Sequence, residues 1–113
     1  MILEQGDKIH LATRRLLEDE ARRHFVGQVQ ATDGALARVE GYAFVLRAGR
    51  NEWARRPERR TRIISLSDGT NIVNVLPRAV DLALLQYRTI DGRLFVTDGK
   101  AFRLDVNEFG PER

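Results

Sequence analysis

Four Asp-Gly pairs, at Asp33-Gly34, Asp68-Gly69, Asp91-Gly92 and Asp98-Gly99, punctuate this chain and constrain its fold more than any other feature. Hairpin turns of the primed types need residues that tolerate positive φ, and Asp-Gly between apolar runs supplies them. Four such turns in 113 residues imply a mainly β protein built from antiparallel strands. Their spacing has no fixed period, so serial hairpins are expected rather than a solenoid.

The segments between the turns alternate as strands do. Lys8 to Arg14 places Ile9, Leu11 and Thr13 opposite Lys8, His10 and Ala12. Leu16 to Arg22 reads as a charged connection. His24 to Ala31 sets Phe25, Gly27, Val29 and Ala31 on one face, and Gly27 within it marks a sharp bend or a close backbone approach. From Ala35 to about Leu46 the next strand carries Leu36, Tyr42, Phe44 and Leu46 on one side and Ala37, Val39, Gly41, Ala43 and Val45 on the other. Apolar residues on both sides suit a strand covered on both faces, as in a small bent barrel. Residues 47–62 form a long loop or a pair of extended strand ends. Arg62 to Leu66 and Asn71 to Leu76 then make a compact hairpin around Ser67-Asp68-Gly69-Thr70. Pro77 can open a helix, and Val80, Leu84 and Tyr87 recur at helical spacing, which predicts one short helix over Arg78 to Gln86. Arg93 to Thr97 and Ala101 to Val106 close the chain as a C-terminal hairpin.

Charge is concentrated in one place. The formal net charge is +3, yet residues 1–46 and 63–113 each carry net −1, while residues 47–62 hold seven Arg against two Glu. That segment contains Arg47, Arg50, Trp53, Arg55, Arg56, Arg59, Arg60 and Arg62. Seventeen of the 19 basic residues are Arg, which grips phosphate with two parallel hydrogen bonds and stacks on bases in ways Lys cannot. A Trp among guanidinium groups can stack on unpaired bases. The alternative is that these arginines pair with Glu52 and Glu58, or with acids on a sister subunit or an acidic protein partner, while Trp53 anchors the interface. Both readings make residues 47–62 a contact surface.

Catalytic chemistry has little to stand on. There is no Cys, Ser occurs only at Ser65 and Ser67, and the two histidines, His10 and His24, lack metal-ligand spacing. No acid, base and nucleophile form a coherent set, and no phosphate-cradling glycine loop occurs, so neither enzyme activity, nor a metal, nor a cofactor is expected. His10 and His24 read as strand-surface or partly packed residues; because His24 follows Arg22 and Arg23, its functional alternative is a phosphate contact. The longest apolar run, Tyr42 to Leu46, is too short to span a bilayer, and residues 1–5 lack the pattern of a secretory leader. A cytoplasmic location away from membranes is the expectation.

The middle of the chain resembles the Sm-like family of small bent β-barrels that assemble into rings and bind RNA. Phe25-Val26-Gly27-Gln28-Val29, Asp33 and the run from Leu36 look like the first Sm motif. Ile64-Ser65-Leu66-Ser67-Asp68-Gly69-Thr70-Asn71-Ile72-Val73-Asn74-Val75 is similar to the second. The likeness covers residues 7–76 and implies a strongly bent antiparallel barrel and edge-to-edge oligomers. Of the family's RNA-pocket positions, Asp33, Gly69 and Asn71 match. The Asn and the stacking residue expected after Asp33 are replaced by Gly34, Ala35 and Leu36, and Asp68 stands where the family keeps a cation. Any RNA binding would therefore rest on residues 47–62.

The combined expectation is one domain over 1–113. A small Sm- or SH3-like barrel over 7–76 carries the Arg-rich insertion 47–62, and a helix plus hairpin extends over 77–113. Open strand edges in such a barrel favour a homo-oligomer. Its role is that of a non-enzymatic binding module, for single-stranded RNA or for a protein partner.

Overall fold

In the computed structural model, residues 2–13, 22–47, 52–67 and 69–106 are described. They are mainly strand, in antiparallel sheets, with almost no helix. The chain divides into two compact units, Met1–Ala79 and Val80–Arg113.

The first unit holds β1 (Lys8–Thr13), β2 (Arg23–Asp33), β3 (Leu36–Arg47), β4 (Glu52–Arg55), β5 (Arg60–Ser65) and β6 (Asn71–Leu76). Their order is β4-β3-β2-β1-β6, and β5 also pairs with β3. β4 lies along the end of β3, from Phe44 to Arg47, and β5 along its beginning, from Leu36 to Gly41. The Arg-rich segment is thus an interrupted edge strand. Arg62 to Leu66 and Asn71 to Leu76 do not form the expected hairpin: β5 pairs with β3, and β6 with β1. Gly69 does not take the positive φ that such a turn would require.

That register forces curvature. Ser65 pairs with Leu36 at the Asp33 end of β2, whereas Asn71 pairs with Thr13 at the Arg23 end. In a flat sheet the two would be separated by about 19 Å across the strands and about 33 Å along them. The chain from Ser65 to Asn71 reaches at most about 22 Å. The sheet must therefore coil over itself. Midway along β2 and β3, Gly27 pairs with Gly41. A Cβ on Gly41 would clash with the Val26 carbonyl oxygen and fall 2.6 Å from Gly27 Cα; one on Gly27 would clash with Val39 and fall 2.9 Å from Phe25 Cε2. No other residue fits this crossing. Among the described residues no ladder joins β6 to β4 or β5, so the antiparallel sheet is strongly bent and no closed barrel is found.

Ile9, Leu11, Phe25, Val29, Ala37, Val39 and Ile64 point inward and form the core with Leu3 and Ala43. On β1 the opposite face is buried too, His10 and Ala12 both being 0% exposed. An irregularity between Val29 and Ala31 shifts the register, so Ala31 pairs with Arg38 and leaves the face it was expected to share with Val29.

The second unit is a three-stranded meander of β7 (Gln86–Ile90), β8 (Arg93–Thr97) and β9 (Arg103–Asp105). The helix expected over Arg78 to Gln86 reduces to a 3-10 turn, Leu82–Leu84, capped by Asp81, whose carboxylate accepts from Ala83 N–H at 3.0 Å. Asp91 and Gly92 both adopt positive φ, 52° and 79°, in a two-residue turn between Ile90 and Arg93. Asp98 organises the next loop by accepting from the N–H groups of Lys100 and Phe102.

Candidate functional site

Strand alternation sorts the arginines onto two faces. Arg23 pairs with Val45, Arg60 with Gly41 and Arg62 with Val39, so all three stand on the core face of the sheet, beyond its apolar filling. Arg56 follows β4 and is tied to the same place by its N–H, which donates to the Ala43 carbonyl at 2.8 Å. Arg55 pairs with Phe44 and goes the other way, its guanidinium carbon 4.9 Å from the Tyr42 ring centre. Arg59 lies 6.0 Å from the same ring and 3.3 Å from Glu40 Oε1.

Arg23, Arg56, Arg60 and Arg62 line a partly open cleft of about 330 Å³, together with His24, Ala43, Phe44 and Val45. The Arg62 guanidinium lies 5.1 Å from the centre of the Phe25 ring, which places it against the apolar core. Arg60 has a carboxylate, Glu58, at 3.8 Å. Among the described residues none stands within ion-pair distance of Arg23, Arg56 or Arg62. Burial lowers the pKa of Arg62, and the like charges of Arg60 and Arg23 lower it further. Mutual repulsion of this kind raises the free energy of the empty cleft and is relieved by an anion.

Behind the cleft runs a row of packed rings. The His10 and His24 rings meet edge to face, with centres 4.9 Å apart, and His24 lies 4.4 Å from Trp53. Asn74 Nδ2 is 3.5 Å from His10 Nδ1. Burial lowers the pKa of His10 to about 4, and burial with the charges of His10 and Arg22 lowers that of His24 to about 3. Both rings are neutral at physiological pH. His24 thus contributes a polar edge rather than a positive charge, and of the two placements expected from the sequence, strand-surface or partly packed, both histidines take the packed one, His10 being buried completely. Trp53 is half-buried against His24, not standing clear as a platform.

Of the residues singled out in 47–62, the fold brings Arg56, Arg60 and Arg62 together and sends Arg55 and Arg59 to the opposite face. Arg47 ends β3, and its side chain and all of Arg50 lie outside the described residues. Arg23, which lies outside the Arg-rich segment in a nearly neutral stretch, joins them from β2, where it stands two residues before Phe25 on the same strand face. Among the Sm-pocket positions, Asn71 accepts a hydrogen bond from Thr13 Oγ1 at 3.1 Å, Asp33 is exposed at its hairpin, and Asp68 lies outside the described residues. Among the described residues no group of three or more His, Asp or Glu side chains is placed to hold a metal ion, and no helix is long and apolar enough to cross a membrane. Comparison with protein-family models, curated proteins and solved structures finds no match to this chain.

Proposed function

We propose that this protein is a non-enzymatic binding module for single-stranded RNA, with the core-face arginines as its contact surface. The observation that carries the reading is the cleft in which Arg23, Arg56 and Arg62 converge without carboxylate partners among the described residues. Arginines with no internal counterion are available to phosphate oxygens. The coiled sheet with β1 between β2 and β6 also supports the Sm-like resemblance, although Asp68 takes the place of that family's cation. Fluorescence polarisation with a labelled single-stranded RNA at two salt concentrations tests the proposal. Binding should weaken as salt rises, and Arg56→Gln with Arg62→Gln should flatten that dependence. Absence of binding at low salt refutes it.

A second reading, self-assembly through strand edges, has its own support. Ile63 on β5 and Val75 on β6 are 66% and 60% exposed, on outer strands at opposite edges of the sheet. Edges that present apolar side chains are pairing sites unless covered. Sedimentation over a range of protein concentrations distinguishes the two: Ile63→Lys should shift an oligomer to monomer and leave a monomeric RNA binder unchanged.

A further inference from the structure

We infer that the arginine cleft is a pocket for a phosphate monoester, the terminal phosphate of a strand or a free mononucleotide, rather than a track for internal phosphodiesters. The inference rests on the RNA-binding reading for its ligand class, and on three features of the cleft for its specificity.

The first is charge. Arg23, Arg56, Arg60 and Arg62 bring four cations to one cleft, and among the described residues Glu58, 3.8 Å from Arg60, is the carboxylate paired to this group. An internal diester offers a single negative charge, whereas a monoester carries about −1.5 to −2 at neutral pH. The excess matches the dianion better. The second is geometry. A diester has two free oxygens and two ester links that must leave the site in opposite directions. A monoester has three free oxygens and one exit, and guanidinium groups converging from β2, the β4–β5 connection and β5 can each present paired N–H donors to those oxygens. The third is size. At about 330 Å³ the cleft sits at the lower end of the range for small-molecule pockets, enough for one nucleotide-sized group. Its floor of Ala43 and Val45 offers apolar contact to a sugar or base edge, and Arg62 is held in place by Phe25.

The experiment compares one RNA hexamer in three forms, with a 5′-phosphate, a 3′-phosphate or hydroxyls at both ends, by fluorescence polarisation on the full chain. Calorimetry with uridine 5′-monophosphate, uridine and inorganic phosphate runs beside it. The expected result is that one phosphorylated end tightens binding at least about tenfold over the hydroxyl form, and that Arg56→Gln with Arg62→Gln removes the difference. Arg88→Ala on β7 serves as control, and far-UV circular dichroism checks that each variant keeps its strands. Should Arg62→Gln unfold the chain, Arg56→Gln with Arg60→Gln asks the same question away from Phe25. Equal affinity for all three hexamers, still lost on arginine substitution, overturns the pocket inference and leaves the RNA reading intact. Binding of uridine 5′-monophosphate without any hexamer binding keeps the pocket and refutes the RNA reading. No binding of any probe refutes both.

Discussion

Acidification to pH 5 should destabilise this protein through its two buried histidines. His10 and His24 are 0% and 7% exposed, and burial first of all lowers their pKa from 6.5 to about 4 and about 3. An unfolded chain takes up both protons as pH falls through 6.5, while the native state takes up neither until far lower. Stability is therefore complete above pH 6.5 and lost progressively as pH falls from there toward 3. Each pH unit below 6.5 costs about 1.36 kcal/mol per histidine, so at pH 5 the loss is about 2 kcal/mol for each and about 4 kcal/mol for the pair. A domain of this size has about 5–15 kcal/mol in all. Asp7, whose pKa is lowered below 3.8 by the Glu4 N–H and by Arg78, stays ionised at pH 5 and does not obscure the effect. Urea unfolding followed by far-UV circular dichroism at pH 7.5 and pH 5.0 measures the difference directly. His24→Gln should halve the pH dependence whatever it does to absolute stability, and adding His10→Gln should abolish it. Equal midpoints at the two pH values, or full dependence in the double variant, would show that the buried-neutral assignment is wrong.

Other perturbations test the remaining supports of the fold. Gly41→Ala drives a Cβ into the Val26 carbonyl at the strand crossing and should cost about 3 kcal/mol, read as a fall in Tm. Asp98→Ala removes the acceptor for two backbone N–H groups and should cost about 1–2 kcal/mol by urea unfolding, with Asp98→Asn recovering part of it. Arg78→Ala removes contacts of 2.9 and 3.2 Å to Asp7 Oδ1 and should raise the Asp7 pKa in an NMR titration. It should not restore it fully, because the Glu4 N–H still donates to Asp7 Oδ2 at 2.9 Å.

What the sequence showed, and what it hid, follows from the range of the interactions involved. β1, β2 and β3 were legible because alternation and the Asp33-Gly34 signal are local; Leu36 to Leu46 even divides into its two faces as expected. The helix over Arg78 to Gln86 failed through competition. The Asp91-Gly92 turn holds Ile90 opposite Arg93, which draws Gln86 to Thr89 into a strand and leaves three residues to the 3-10 turn, too few to propagate a helix. The hairpin expected from Arg62 to Leu76 failed because β5 and β6 find their partners at opposite ends of a coiled sheet, and no feature of Ser67 to Thr70 announces that. The cleft was half legible. Arg56, Arg60 and Arg62 were visible as a basic run, but only strand register separates them from Arg55 and Arg59, and only the β2–β3 ladder brings in Arg23. The burial of His24 had no local signature at all.

The position of β1 has a consequence for how the chain must be made. β1 is the eighth to thirteenth residue of the sequence, yet one of its two neighbours, β6, is supplied by residues 71–76. A nascent chain that has produced β1, β2 and β3 still leaves β1 with a bare edge and Ile9 and Leu11 half-dressed until Leu76 has left the ribosome. Pairings this distant in sequence are slow to form, and an open apolar edge is a docking site for another such chain in the meantime. Shortening the protein anywhere before Leu76 would thus yield an aggregation-prone species, not a smaller version of the same fold.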